Sequence, residues 1–365
     1  MKIGILTYHR AHNYGAMLQA YALRTYLQAQ GHEVEFIDYW PTGHAKEYNW
    51  LRSIKGHTQR ERCVYLLYLV LTAIRRAFRI HKFEKFRELY LQLPSQPRYT
   101  QYGATINESY DLVIVGSDQI WRNHCTTLEH IGFDPVYFCQ TLNHPAHCAT
   151  YAASMGVIRM SDSEEKQLKQ YLSCFSSLSV REKTLLQKLA ELGFESTLVC
   201  DPTLLLSKEQ WNTLLPKKRF RNAPYVLYYE MTQSGVSRQY AQIVAKEHHC
   251  ELLIISATLH TMWRSNELTN IGPIELIHAI RDAEFVVSTS FHGTAFSVIF
   301  EKQFISMGAR NNSDRIQTLL TQINIPDHYT TIPPVAYTPI DIDAAHKKLE
   351  TYTHHSKQYI NAIQQ

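Results

Sequence analysis

The chain has 365 residues, 45% hydrophobic and 19% charged, a balance that excludes a disordered polypeptide and a length beyond what one hydrophobic core usually serves. Its net charge of +4 is too mild to imply nucleic acid, and no basic run interleaved with aromatics forms an RNA-binding motif. Seven cysteines, an odd number without a CxxC pair, suggest neither a disulfide framework nor a zinc site and point to a reducing cytosol. The opening residues carry no charged segment followed by a cleavage site, so no signal peptide is expected. The longest apolar run, Cys63 to Ile74, falls short of the ~20 residues of a membrane span.

In chain order, a strand at 2–8, a loop containing Asn13-Tyr14-Gly15, an amphipathic helix to about residue 30 closed by Gly31, and a strand at 33–38 predict a β-α-β unit. Residues 40–105 break the rhythm as a helical insertion with a basic, aromatic stretch through Arg75, Phe78, Arg79 and Phe86. Alternation resumes with strands at 110–116, 150–154, 176–180 and 197–200, and with helices from 162 and over 182–192. After Asp201-Pro202 the pattern restarts: strands at 225–230, 252–256, 285–290 and 303–307, with helices at 234–247, 273–282, 294–301 and 314–323. A proline-bearing stretch at 332–339 precedes a polar helix from about 342.

The expected fold class is therefore α/β, two Rossmann-like domains facing across a cleft. An N-terminal domain would span 1–205 with its helical insertion, a C-terminal domain 206–340, and a terminal helix 341–365. Open α/β sheets bind ligands at the carboxyl ends of their strands, so the polar residues there are the candidates for chemistry.

Five such clusters stand out. Asn13, Tyr14 and Gly15 feed a helix N-terminus, which could hold an anion or a sugar hydroxyl, although a plain β-α turn is the favoured reading of these residues alone. Asp118 and Trp121 follow a very apolar strand; they suit a sugar hydroxyl and a sugar face, or equally an N-cap and a core indole. Arg181 can pair with carboxylate or phosphate, or make a structural ion pair with Glu182 or Asp201. Asp201-Pro202 reads first as a hinge and second as a cleft carboxylate. The fifth cluster is the strongest: an apolar strand delivers Ser288, Thr289, Ser290, Phe291 and His292 to a turn, and Gly293 opens a helix whose amides point at the same spot. Such a turn suits an anion beside an acid-base group, but a lone histidine among nineteen is more often a satisfied core or surface residue.

The blocks Asn13-Tyr14-Gly15-Ala16, Leu18-Gln19, Tyr21-Ala22-Leu23, GSDQIW at 116–121, SVRE at 179–182, DPTLLL at 201–206 and STSFHGTAFS at 288–297 together resemble the polysaccharide pyruvyl transferase family over about residues 1–325. The resemblance implies a GT-B-like pair of Rossmann-like domains. It also implies transfer of pyruvate from phosphoenolpyruvate to two hydroxyls of a sugar in a surface, capsular or exopolysaccharide, or in its lipid-linked precursor, with release of phosphate and formation of a cyclic ketal. Phosphoenolpyruvate would be a co-substrate, with no further cofactor and no metal. By residue, His292 matches the family histidine of the donor site and is the candidate proton donor; Phe291 matches the apolar position before it, and Arg181 an arginine near the donor's anionic groups. Many members carry an arginine where this chain has Ser290, and Arg310 and Arg315 are the nearest substitutes. Arg315 and the helix start at Gly293 and Thr294 would help hold phosphate and carboxylate, with Asp118 as the candidate base for the acceptor hydroxyl.

The same architecture would serve a GT-B glycosyltransferase using a nucleotide sugar, or a catalytically inactive glycan-binding homologue. Against the former, no paired glutamates in the second domain are placed like a ribose-binding motif. A cytoplasmic location is expected. Peripheral contact with the inner face of the membrane, through the basic apolar stretch from about Arg60 to Arg87, stands beside the plainer expectation of a helical pair capping the first domain.

Overall fold

Two parallel sheets organise the chain, and both follow from runs of apolar, β-branched residues alternating with helices. The computed structural model describes residues 1–48, 58–123, 132–144, 146–257, 266–308, 313–334 and 336–365. The first sheet comprises β1 (Lys2–Leu6), β2 (Glu33–Phe36), β3 (Leu112–Val115) and β4 (His147–Thr150) in the order β2-β1-β3-β4. A two-stranded ladder of β5 (Ser179–Val180) and β6 (Thr197–Leu198) lies beyond it, joined through the bridges Ala149 to Ser177 and Ala153 to Val180. The second sheet is built from β7 (Tyr225–Glu230), β8 (Glu251–Ser256), β9 (Glu267–Leu268), β10 (Phe285–Ser288), β11 (Gln303–Met307) and β12 (Tyr329–Thr330), in the order β12-β11-β10-β7-β8-β9. Every named ladder among the described residues is parallel. The central strand β3 reads Leu-Val-Ile-Val with all four side chains buried, as a strand covered on both faces must. These are the two Rossmann-like α/β units expected.

The helices are α1 (Tyr14–Ala29), α2 (Thr42–Tyr48), α3 (Gln59–Tyr90), α4 (Asp162–Leu172), α5 (Lys183–Glu191), α6 (Lys208–Asn212), α7 (Gly235–Glu247), α8 (Pro273–Asp282), α9 (Phe291–Ile299), α10 (Asp314–Gln322) and α11 (Ile342–Ala362). Most starts are set by side-chain caps: Asn13 receives the Gly15 and Ala16 amides, while Thr58, Ser161 and Ser207 form capping boxes with the acid or amide three residues on.

The structure corrects three expectations. The strand placed at 150–154 lies instead at 147–150, where β4 pairs with β3; Ala152, at φ 52°, breaks the ladder, and only isolated bridges continue to Asp118 and Val180. The helix placed at 294 begins at Phe291, because Ser290 is the residue whose side chain caps it. The insertion is dominated by α3, a single 32-residue helix, since no glycine or proline interrupts 59–90.

The core runs through both units. Tyr14 on α1 packs on Phe83 of α3 with ring centroids 4.9 Å apart, edge-on to Tyr229 of β7 at 6.1 Å, and donates its hydroxyl proton to the carbonyl of Ile271. The last helix, α11, returns to the first unit. Its Tyr359 hydroxyl donates to the Thr150 carbonyl, its Ser356 Oγ accepts from the Cys200 amide, and its Asn361 Oδ1 accepts from Gln30.

Candidate active site

Strand order places the site. In the first sheet β2 lies on one side of β1 and β3 on the other, and in the second sheet β8 and β10 flank β7 in the same way. Each sheet therefore reverses direction once, and a crevice opens at the carboxyl ends of the two strands where it does. At the first reversal, Thr7 after β1 donates to the Ser117 carbonyl after β3 at 3.0 Å. At the second, the Met231 and Thr232 amides after β7 donate to Thr289 Oγ1 after β10, at 2.9 and 3.2 Å. The two reversals meet. A Cβ added to Gly15, just beyond β1, would fall on the imidazole of His292, just beyond β10, so glycine at 15 is what lets the ring approach α1.

Around that junction lies a buried charged cluster. Arg181, 2% exposed, donates from Nη1 to Asp201 Oδ2; its Nη2 is 3.7 Å from Asp118 Oδ1 and its Nε 4.0 Å from Glu182 Oε2. Asp201 is held by Thr203, whose amide and hydroxyl both donate to Oδ1, and by Ser117, whose hydroxyl reaches Oδ2 at 3.5 Å. Glu182 Oε1 accepts from the Ser154 hydroxyl and the Met155 and Gly156 amides. The Phe291 ring is shared by two guanidinium groups, with Arg181 at 5.1 Å and Arg315 at 5.8 Å from its centroid. The backbone is unusual at the same place: the Gly116–Ser117 peptide is cis, and Asp118 has φ 75°, a conformation that aspartate tolerates better than most residues.

What distinguishes the cluster is unused hydrogen-bonding capacity. Arg181 Nε and Nη2, Glu182 Oε2 and His292 Nε2 are buried without a hydrogen-bond partner, each a group whose desolvation costs about 1–3 kcal/mol or more when unmatched. Arg315, half-buried at the start of α10, has no carboxylate within salt-bridge distance among the described residues. An anion with several acceptor oxygens would satisfy the donors of Arg181, and a hydroxyl would satisfy Glu182 Oε2.

The electrostatics agree. Burial works against the charge of Asp201, yet Arg181 and His292 beside it hold its carboxyl below the usual range. Burial also opposes the Arg181 charge and is outweighed by Asp201, Asp118 and Glu182, which raise its pKa. Burial pushes His292 down to about 4, against the pull of Asp201 and with the help of Arg181 and Arg315. At neutral pH the imidazole is thus uncharged, and its Nε2, 3.8 Å from Asp201 Oδ2, makes no ionic bond. Negative charge brought beside it would raise its pKa and let it take up a proton.

The structure brings together Asp118, Arg181, Gly15, Ser290, Phe291, His292, Gly293 and Arg315 around the two reversals. Ser290 caps α9 by accepting from the Gly293 amide, so its side chain serves the helix that carries His292. Arg310 lies outside the described residues. Four candidates are placed otherwise than a ligand-binding role requires. Trp121 is fully buried, stacked on Phe138 at 5.3 Å, with its indole N–H donated to the Tyr137 carbonyl, so it cannot offer a face to a sugar. Tyr14 is fully buried with its hydroxyl committed to Ile271. Asn13 spends its side-chain oxygen on the Gly15 and Ala16 amides, which closes that helix start to an outside anion. Thr294 is fully buried, its amide and hydroxyl both bonded to the Ser290 carbonyl and its Oγ1 2.6 Å from Ser306 Oγ.

Asp201 forms with Arg181 the ion pair that the sequence offers as one of two readings of that arginine. Read locally, Asp before Pro is a hinge; in the fold its carboxylate is the counter-ion of Arg181 and the nearest acid to His292.

The family model for polysaccharide pyruvyl transferase matches residues 13–311, most of the chain and all of these residues except Arg315. A search of curated proteins finds no match. Among solved structures, the chain is similar to a UDP-GlcNAc 2-epimerase from Methanocaldococcus jannaschii, with TM-score 0.46, 11% identity, and coverage of 97% of this chain and 93% of that one. It is also similar to the glycosyltransferase SnogD from Streptomyces nogalater, with TM-score 0.41, 11% identity, and coverage of 100% and 99%. A third is the Escherichia coli heptosyltransferase WaaC, with TM-score 0.37, 13% identity, and coverage of 96% and 100%.

Proposed function

Because the chain belongs to the polysaccharide pyruvyl transferase family, we propose that it transfers pyruvate from phosphoenolpyruvate to two hydroxyls of one sugar, in a surface polysaccharide or its lipid-linked precursor. The observation that carries this reading is the set of buried, unmatched donors on Arg181 and His292 beside the unpaired guanidinium of Arg315. Phosphoenolpyruvate offers a phosphate and a carboxylate on adjacent atoms, and two cations gathered at one phenyl ring suit that pair of anions.

The chemistry assigns the remaining roles. His292, charged once the donor's anions stand beside it, gives a proton to the enol carbon C3; the electron pair of the C2–C3 double bond forms the new C–H bond and leaves an oxocarbenium-like C2. A sugar hydroxyl adds to C2, with Asp118, partly open to solvent, receiving its proton. The C2–O bond to phosphate then breaks, phosphate leaving with the electron pair; a second hydroxyl of the same sugar bonds to C2 in its place and gives its proton to His292, neutral since the first step, which closes the ketal and restores the acid. Asp201 is a positioning residue in this scheme. It fixes Arg181 directly and stabilises the protonated His292 from 3.8 Å.

Phosphate release from phosphoenolpyruvate with a panel of sugar acceptors tests the reading. Release should require the acceptor and fall by ~10²–10⁴-fold in His292→Ala, the usual contribution of a general acid. Turnover of a nucleotide sugar without phosphate release from phosphoenolpyruvate would replace it by glycosyl transfer.

A further inference from the structure

Helix α3 has two apolar faces, and the fold covers one of them. Its buried side chains, Thr72, Arg76, Phe83, Phe86 and Arg87, share the face turned into the protein. On the other side of its first half, Val64, Leu67, Val70, Leu71, Ile74 and Phe78 are between 52% and 73% exposed. Their spacing of three and four residues aligns them in a stripe roughly 21 Å long. Isolated exposed leucines are ordinary on a protein surface, but a continuous stripe of this length marks an interaction surface.

Charge indicates what covers it. Residues 59–79 contain five arginines and a single glutamate, and the carboxylate of that glutamate, Glu61, is folded back onto Thr58 in the capping box. Arg60 and Arg62 stand exposed at one end of the stripe, and Arg75 follows, half-buried, at the other, while Arg79 turns inward to the Ala257 carbonyl and the Tyr14 and Phe83 rings. A second copy of this chain laid along the stripe would set arginine against arginine, Arg60 and Arg62 against Arg75 if antiparallel, and each against itself if parallel. Like charges so placed repel. A flat anionic layer over an apolar interior complements both the stripe and its ends. No helix among the described residues is long and apolar enough to cross a membrane.

We propose that this face of α3 docks the protein onto an anionic lipid surface, with the helix lying in the headgroup plane and its apolar stripe sunk ~5–10 Å into the acyl boundary. The assignment stands on the helix alone, independent of the pyruvyl-transfer reading.

Flotation of the full chain with vesicles of phosphatidylcholine, and of an equal mixture of phosphatidylcholine and phosphatidylglycerol, tests it. The chain should favour the mixed vesicles by about tenfold or more, since each basic residue near such a surface strengthens binding several-fold. The triple change Leu67→Ser, Leu71→Ser, Ile74→Ser should abolish flotation, and the pair Arg60→Gln, Arg62→Gln should erase most of the preference for anionic lipid. Thermal unfolding checks that each variant folds; should the triple variant not fold, the arginine pair, exposed on the surface, decides. Equal flotation with neutral and anionic vesicles, no flotation at all, or sedimentation showing a dimer that the serine changes dissociate would each overturn the proposal.

Discussion

The molecule buries an arginine, an aspartate and a histidine together twice, and the two clusters are finished differently. Around Asp38, Arg10 donates Nε and Nη2 to the two carboxylate oxygens at 2.5 and 2.7 Å, and the rest of the guanidinium is taken up by the carbonyls of Pro94, Ser95 and Gln96. His9 bonds Asp38 with Nε2 and the Thr7 carbonyl with Nδ1, at 3.1 and 2.8 Å. Around Asp201, Arg181 has one donor engaged and two idle, and His292 Nε2 is idle. The central trio is the same, with Asp118 and Glu182 added around Arg181 in the second. The first cluster is a closed staple between β2 and the segment after α3, while the second keeps capacity in reserve. A buried polar group left unmatched lowers stability, so an arrangement that tolerates several of them at one point is one that something else completes.

The comparison can be broken most sharply at the staple. Asp38→Ala leaves the Arg10 guanidinium buried without its carboxylate and should lower folding stability by about 3–5 kcal/mol in urea unfolding. Phosphate release per folded molecule should stay as in the parent. A loss below about 1 kcal/mol would mean that the staple is no more structural than the site.

Acid provides the next test. His292 is pushed to about 4 from an unfolded value of 6.5, so the unfolded chain takes the proton first. Stability should therefore fall as pH drops from 6.5 toward 4, by about 3 kcal/mol from this group, and level off below. His292→Gln lacks the group, so the stability difference between it and the parent, followed by unfolding at pH 7 and pH 4.5, should shift by that order. The carboxyls of Asp38 and Asp201, both held low by their cationic partners, lose their contribution only below the ordinary carboxylate range, which separates the two windows.

A smaller effect sharpens the idea of reserve capacity. Phosphoenolpyruvate at about a hundred times its dissociation constant should add about 2.7 kcal/mol of stability by binding the folded state alone. Arg315→Met should forfeit most of that gain in differential scanning calorimetry while leaving the ligand-free transition close to the parent's. An equal gain in the variant would remove Arg315 from the donor site.

Much of the fold was legible because each strand announces itself locally. Phe285-Val286-Val287 and Leu112-Val113-Ile114-Val115 cannot be other than buried strands in this context, and Asn13 and Ser161 stand at helix starts that the sequence places within a residue or so. The turn at Ser288 to Gly293 was legible for the same reason, as polar residues delivered by an apolar strand. What could not be read was any choice made by a partner distant in sequence. Whether Trp121 meets solvent depends on the Tyr137 carbonyl and the Phe138 ring, sixteen and seventeen residues on. Tyr14 and Thr294 show the same limit. Both are polar groups at the right strand end, and both are already bonded inside the protein by Ile271 and by Ser290 with Ser306. Helix α3 presents the opposite case: its apolar and basic residues were plain, but only the fold shows which of its two apolar sides the protein uses.

The return of α11 to the first unit bears on how the chain is made. Translation proceeds from the N-terminus, and domains fold as they emerge. Here the Cys200 amide and the Thr150 carbonyl find their partners on Ser356 and Tyr359, and Gln30 finds its own on Asn361. A ribosome that has delivered β10 holds every strand of the first sheet and, with them, an unfinished layer. The His292 turn is synthesised into the same interval, so the site's two halves are both made before Cys200, next to Asp201, gains its partner on α11.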